Sequence, residues 1–241
     1  MNNGFLFSVC PYLALALVVG GSAVRYVLAR RRRVLLRAQM AEARRVFRGR
    51  IFWLALSGLM VAHGVGLVLP RAVLSWNSNP ARLYLSEGVA LALGLVAVAT
   101  GSRIVWKHLE RHGGGVFDEV CDTLFLALLF VAMLSGLLVA VRYRWASSWG
   151  VMILTPYALS LLSGTPAVNF INEMPFLVQL HVLSAFAAVA VIPLTRLSAL
   201  MMGVVEAGLE VVARPFLVAQ NRAETWIQNH NPAAWLWPDE D

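Results

Sequence analysis

The sequence predicts an all-α membrane protein whose core is a bundle of five transmembrane helices. Hydrophobic residues make up 59% of the 241 residues, charged residues make up 14%, and the mean hydropathy is +0.69. A soluble domain has about 25% charged residues. Five apolar stretches are each close to the ~20 residues that cross a bilayer as a helix. They are Phe5–Val27, Ile51–Leu69, Tyr84–Trp106, Thr123–Val141 and Phe176–Leu200.

The first stretch, Phe5–Val27, is terminal and apolar, as a secretory signal peptide is. No positive segment precedes it, and its basic residues follow the apolar run instead. We therefore expect a retained membrane helix.

The connection after the first stretch indicates the orientation of the bundle. Nine arginines crowd it: Arg30, Arg31, Arg32, Arg33, Arg37, Arg44, Arg45, Arg48 and Arg50. Basic residues beside a membrane helix favour the cytoplasmic face and contact anionic lipid, so the pI near 10.2 does not indicate nucleic acid. Five helices put the termini on opposite faces. We predict an outer N-terminus and a cytoplasmic C-terminus, in the inner membrane of a prokaryote.

The remaining segments complete the layout. In this orientation the connection from Arg142 to Pro175 is external, and its aromatic residues and prolines predict a loop or short helix at the membrane interface. The polar end of the chain leaves the bilayer. We therefore predict a transmembrane domain over residues 1–205 and a cytoplasmic tail over residues 206–241.

Two histidines, His63 and His181, lie inside the second and fifth apolar stretches. An imidazole within a membrane helix is costly and usually has a function. His63 lies seven residues before Pro70 and His181 about five residues into its helix, so both should lie within roughly 10 Å of the outer surface at 1.5 Å per residue. Because the two histidines lie at the same depth, we predict that they ligate one haem b. Two histidine ligands on one haem favour electron transfer over oxygen chemistry.

Other candidates are weaker. Gly64, beside His63, would let a flat macrocycle approach the backbone, although small residues also permit helix packing with no cofactor. His108 and His112 have a spacing that can bind metal, but no carboxylate or cysteine completes a site, so we expect them in solvent at a helix end. His230 lies in the tail. The sequence has no nucleophile motif, phosphate loop or cysteine cluster, so substrate chemistry would belong to other subunits.

Several motifs, taken in order, resemble the gamma-subunit family of respiratory nitrate reductase, which are five-helix cytochrome b membrane anchors. They are Pro11-Tyr12, Gly21-Ser22 and Arg25-Tyr26 in the first helix, His63-Gly64 and Leu69-Pro70 in the second, Asp122 and Gly136-Leu137 in the fourth, and Leu180-His181, Pro193 and Thr195-Arg196-Leu197 in the fifth. The resemblance implies that His63 and His181 ligate the outer haem. It also implies catalytic and iron–sulfur partner subunits and exchange of electrons with quinone.

The chain departs from this family at the inner haem. Two-haem members have further histidines ten residues before the first ligand and eighteen after the second, and these positions are Trp53 and Ala199 here. The resemblance therefore implies a single-haem member, whose partner is a nitrate reductase, a hydrogenase or a heterodisulfide-reductase-like enzyme. Relatives have a lysine at the quinol site, and Arg82 is the closest basic residue to that position here. Arg82 would contact quinone or a haem propionate, or it would only anchor the topology of the bundle.

Two other classes of function compete with the electron carrier. In a haem-free structural anchor, the histidines would hydrogen-bond across helices and the protein would only tether a redox complex. A transporter is disfavoured because acids within the membrane and broken helices in repeated halves are missing from the sequence pattern.

Overall fold

The computed structural model describes residues 4–31, 33–110 and 116–229. All regular structure in this part of the chain is helical, and five helices are long and apolar enough to cross a membrane, which confirms the predicted fold class. These are α1 (Gly4–Arg31), α3 (Arg50–Val68), α5 (Pro80–Leu109), α6 (Val116–Arg142) and α9 (Phe176–Val191). Between and after them lie α2 (Arg33–Val46), α4 (Pro70–Asn77), α7 (Ala146–Leu162), α8 (Asn169–Asn172) and α10 (Leu197–Asn229).

The described chain forms two compact units, which divide after Ala199. In the first unit α6 packs against both α5 and α9, α3 packs against α5, and α1 packs against α9. Helices α3 and α5 are antiparallel: Gly58 lies against Leu93, and Gly101 lies against Phe52. The second unit, Leu200–Asp241, contains most of α10.

Prolines set three helix boundaries. Pro70 begins α4 directly after α3, and Pro80 begins α5, where the side chain of Asn79 accepts a hydrogen bond of 3.0 Å from the Ala81 N–H. Proline suits the first turn of a helix because its missing N–H would have no partner there. The predicted fifth stretch to Leu200 is too long: α9 ends at Val191, and a single 3₁₀ turn, Ile192–Leu194, contains Pro193.

The break at Pro193 is stabilised from α1. The Arg25 guanidinium donates a hydrogen bond of 2.8 Å to the Pro193 carbonyl. One turn earlier, a Cβ placed on Gly21 would lie 2.8 Å from the Pro193 Cβ, so only glycine admits this approach. The Gly21 and Arg25 motifs of the sequence therefore serve the junction between α1 and the end of α9.

The connection from Arg142 to Pro175 contains more helix than predicted. Helix α7 has 17 residues and packs against α4, α3 and α8. The Tyr157 hydroxyl donates to the Phe7 carbonyl at 2.8 Å and so joins α7 to α1. Burial raises the pKa of Tyr157 to about 12, so this hydroxyl keeps its proton throughout the physiological range.

A buried ion pair joins α6 to the segment before α10. Asp122 is fully buried, accepts a hydrogen bond of 2.9 Å from the Arg196 N–H, and pairs with the Arg196 Nε at 3.1 Å. The same guanidinium contacts Glu42 of α2 at 2.6 Å. Breaking a buried pair from one side is strongly destabilising because it leaves an uncompensated charge in the interior.

We expect Arg196→Ala to destabilise the protein by about 3–5 kcal/mol, since Asp122 would stay buried without its partner. Replacing Asp122 and Arg196 together by leucine should cost much less. Denaturant unfolding in detergent micelles measures both changes. Equal losses in the single and double variants would contradict the ion-pair explanation.

Candidate functional site

The structure brings His63 of α3 and His181 of α9 next to each other. Their ring centroids are 6.1 Å apart, and the ring planes are inclined by 40°. Imidazole nitrogens bind a metal at about 2.0–2.1 Å, so two on opposite sides of one metal are about 4 Å apart, with their ring centroids somewhat farther. The observed separation fits one metal ion held between the two rings.

Both rings are held by the same kind of hydrogen bond. The His63 Nδ1 lies 2.7 Å from the Leu59 carbonyl, and the His181 Nδ1 lies 2.8 Å from the Ala132 carbonyl of α6. A carbonyl only accepts, so each Nδ1 carries the proton and donates it. The lone pair of each ring is then on Nε2, which is the state of a histidine that ligates a metal.

The α3 side of this pair is open. Residues 60–65, which include His63, are exposed, and a Cβ placed on Gly64 would meet no atom within 4 Å. The main neighbours of α3 are α5 and α7, whereas those of α9 are α6 and α1. The two imidazoles thus approach each other from helices with different main neighbours, the space beside Gly64 is open, and the donor set fits haem.

Arg82 lies elsewhere in the described structure. Its guanidinium is 5.0 Å from the ring centroid of Trp76, and the Trp76 indole N–H donates to the Ser86 hydroxyl at 3.2 Å. Arg82 is exposed and contacts α4, not the histidine pair. Its assignment to quinone or propionate stays a prediction.

The prediction that His108 lies in solvent is wrong. His108 is 6% exposed, and its Nε2 lies 2.9 Å from the Thr123 hydroxyl, which itself donates to the Glu119 carbonyl at 2.7 Å. The imidazole therefore joins α5 to α6. Within the described ranges no group of three or more histidine, cysteine or acidic side chains could hold a metal ion. His112 and His230 lie outside the described residues.

Aromatic rings surround Trp53, one of the two positions where two-haem relatives have histidine. The Trp53 indole N–H donates to the Phe47 carbonyl at 2.8 Å, and its ring meets Phe52 at 5.1 Å and Phe47 at 6.4 Å between centroids. Phe47 in turn meets Phe125 of α6 at 6.0 Å. Ala199, the other position, is fully buried. Neither position offers an imidazole.

The sequence interpretation that acids are missing from the apolar stretches is wrong for Glu87 of α5. Its carboxylate accepts from the Ser147 N–H at 2.8 Å and from the Ser147 hydroxyl at 2.5 Å. Asn77, which is buried, donates to the hydroxyls of Ser147 and Ser148. Helix α7 has no side-chain cap of its own at Trp145, so Glu87 caps it from a neighbouring helix. The sequence signal for this role was a single acidic residue within the apolar stretch Tyr84–Trp106.

Comparison with known proteins supplies the family. A family model for the nitrate reductase gamma subunit matches residues 3–222. The nitrate reductase-like protein NarX of Mycobacterium tuberculosis, in strains CDC 1551 and H37Rv, is 24% identical over 98% of this chain. The chain spans 36% of the length of that relative. The nitrate reductase gamma chain of Bacillus subtilis is 23% identical over 92% of this chain and 100% of its own length. The chain therefore belongs to the nitrate reductase gamma subunit family.

Proposed function

We propose that this protein transfers electrons between the quinone pool and a partner oxidoreductase through one haem b, whose axial ligands are His63 and His181. The family implies a membrane cytochrome b electron-transfer subunit. The observation that carries the proposal is the histidine pair: the rings are 6.1 Å apart, and each Nδ1 is engaged by a backbone carbonyl.

The chain's own groups perform three tasks in this proposal. His63 and His181 would be the two protein ligands of the haem iron, an arrangement that favours electron transfer over oxygen chemistry. The carbonyls of Leu59 and Ala132 keep each ring in one tautomer and make its Nε2 more basic, and therefore a stronger ligand for a metal. Both ligands lie in apolar helices that cross the membrane, where hydrocarbon in place of water, together with these hydrogen bonds, would set the reduction potential. Bound haem supplies a one-electron couple.

The direction of the helices decides on which face the site lies. The arginine-rich first connection favours an outer N-terminus and a cytoplasmic C-terminus in a prokaryotic inner membrane. His63 then lies five residues before the outer end of α3, and His181 lies five residues after the start of α9. At 1.5 Å per residue, both lie about 8 Å inside the outer helix ends. An outer site suits quinol oxidation with release of protons outside.

The proposal includes domain boundaries predicted from the polarity of the sequence and partners that follow from the family. Residues 1–205 form the membrane domain, and residues 206–241 form a cytoplasmic tail. Catalytic and iron–sulfur subunits of a membrane complex carry out the terminal reaction, and the names of the two relatives point to a nitrate reductase or a similar enzyme. Trp53 and Ala199 support one haem, not two, because neither side chain offers an imidazole to a second iron.

His63→Ala and His181→Ala should each abolish the reduced-minus-oxidised visible band of a b-type haem, since either change removes one axial ligand. The control is His108→Ala, which removes a buried imidazole that lies between α5 and α6 instead. That variant should retain the band. A colourless, folded wild-type protein would refute the carrier and leave the haem-free anchor.

The haem content of the purified wild-type protein should be one per chain in a pyridine haemochrome assay. The physical reason is that Trp53 stands where two-haem relatives have a ligand, and its indole N–H donates to the Phe47 carbonyl and offers no lone pair to iron. Two haems per chain would contradict this expectation.

Arg82→Ala should slow reduction of the haem by a soluble quinol analogue about tenfold without changing the haem content, if the guanidinium contacts the quinone or a propionate through a charge-assisted hydrogen bond. Arg71→Ala is the matched control, because Arg71 is another exposed arginine of the predicted outer face. Stopped-flow reduction under anaerobic conditions gives the rates. Equal rates in the two variants would remove Arg82 from the quinol site.

A further inference from the structure

His181 rests directly on the backbone of α6. A Cβ placed on Gly136 would lie 2.8 Å from the His181 Cε1 and 2.9 Å from its Nδ1. Both distances are shorter than real Cβ contacts allow. The imidazole therefore occupies the space that any side chain at position 136 would need.

The hydrogen-bond acceptor for the same ring lies one helical turn away. Ala132 and Gly136 are four residues apart, so they share one face of α6. The Ala132 carbonyl accepts from the His181 Nδ1 at 2.8 Å, while Gly136, which has no Cβ, leaves free the space that the ring occupies. This face of α6, which we name the Ala132–Gly136 surface, restrains both the position of the ring and its tautomer.

We propose that the Ala132–Gly136 surface positions His181 as a metal ligand and that Gly136 is required for this because it has no side chain. The inference rests on the proposed function. Gly136 is a positioning residue, since it acts through the imidazole and needs no contact with the haem itself.

The helix that carries the ring has little room to move away from an added methyl group. Val178 and Ser184 lie within one turn of His181 on α9, and Ala188 lies two turns beyond it; all three are buried. The Ser184 hydroxyl also donates to the Leu180 carbonyl at 2.6 Å. Well-packed interiors accommodate extra atoms mainly by displacing side chains. A Cβ at position 136 would thus force the imidazole to rotate. The rotation would break the hydrogen bond between the His181 Nδ1 and the Ala132 carbonyl and change the direction in which Nε2 points.

A second closely packed glycine, Gly101, provides a control that distinguishes displacement of His181 from a general disturbance of helix packing. A Cβ on Gly101 of α5 would lie 2.9 Å from the Met133 Cε and 3.0 Å from the Phe52 Cε2. Gly101→Ala therefore produces a comparable clash near α6 without touching either histidine. Gly20 of α1, where a Cβ would meet no atom within 4 Å, is a control without a clash.

We expect Gly136→Ala to weaken haem binding about 10- to 100-fold, the usual loss when a group that orients a metal ligand is removed. The remaining bound haem should show a shifted reduction potential and an altered low-spin signal in electron paramagnetic resonance. Gly101→Ala should lower the unfolding temperature but leave the affinity, potential and spectrum of the folded fraction unchanged, and Gly20→Ala should change none of these.

The haem-free protein provides a second measurement, which applies even if Gly136→Ala folds poorly. In a His181→Ala background the ring is gone, so adding Gly136→Ala should cost little further stability. The same glycine change in the wild-type background should lower the unfolding temperature. Additive losses in this double-mutant cycle would overturn the proposal.

The outcomes distinguish this inference from the proposed function. A wild-type protein that binds haem, together with a Gly136→Ala variant of unchanged affinity and spectrum, would overturn the inference alone. Equal haem loss in Gly136→Ala and Gly101→Ala would also overturn it, because the cause would then be general instability. A wild-type protein that binds no haem would overturn the proposed function as well.

Discussion

The packing of α6 against α9 is the contact on which the candidate site depends. It brings a backbone carbonyl, that of Ala132, to within 2.8 Å of a ring nitrogen on another helix. Carbonyls of a regular helix already accept one hydrogen bond from within the helix, and their second lone pair is free to accept another. The bundle thus uses the backbone of one helix to orient a side chain of its neighbour.

The structure distributes polar groups between two levels of the bundle. The histidine pair lies near the ends of α3 and α9 that face α7, where Glu87 also caps a helix. Asp122, Arg196 and His108 lie toward the other end, and each has a partner. Between these levels lie apolar and aromatic side chains around Phe52 and Trp53. Glu87, Asp122, Arg196 and His108 therefore lie where hydrogen bonds or opposite charges offset the loss of water.

Much of the architecture could be predicted from the sequence because the bilayer imposes a length on every crossing helix. The five apolar stretches and the shared depth of His63 and His181 followed from that length and from the direction of each helix. The predictions failed where a residue depends on its neighbours. Pro193 ends α9 early, and His108 is buried because Thr123 offers it a partner. Glu87 and Gly136 act on groups more than 40 positions away in the sequence, so local patterns could not assign their roles.

The guanidinium of Arg196 has one acidic partner in the interior and another near water. The side chain of Asp122 is 0% exposed, whereas that of Glu42 is 47% exposed. Dissolved ions weaken ion pairs that are exposed to water, but they screen buried pairs much less. Rising ionic strength therefore weakens the link to α2 first, while the junction of α6 with the start of α10 persists. The ion pair between Arg196 and Glu42 of the arginine-rich α2 thus weakens as the salt concentration of the surrounding solution rises.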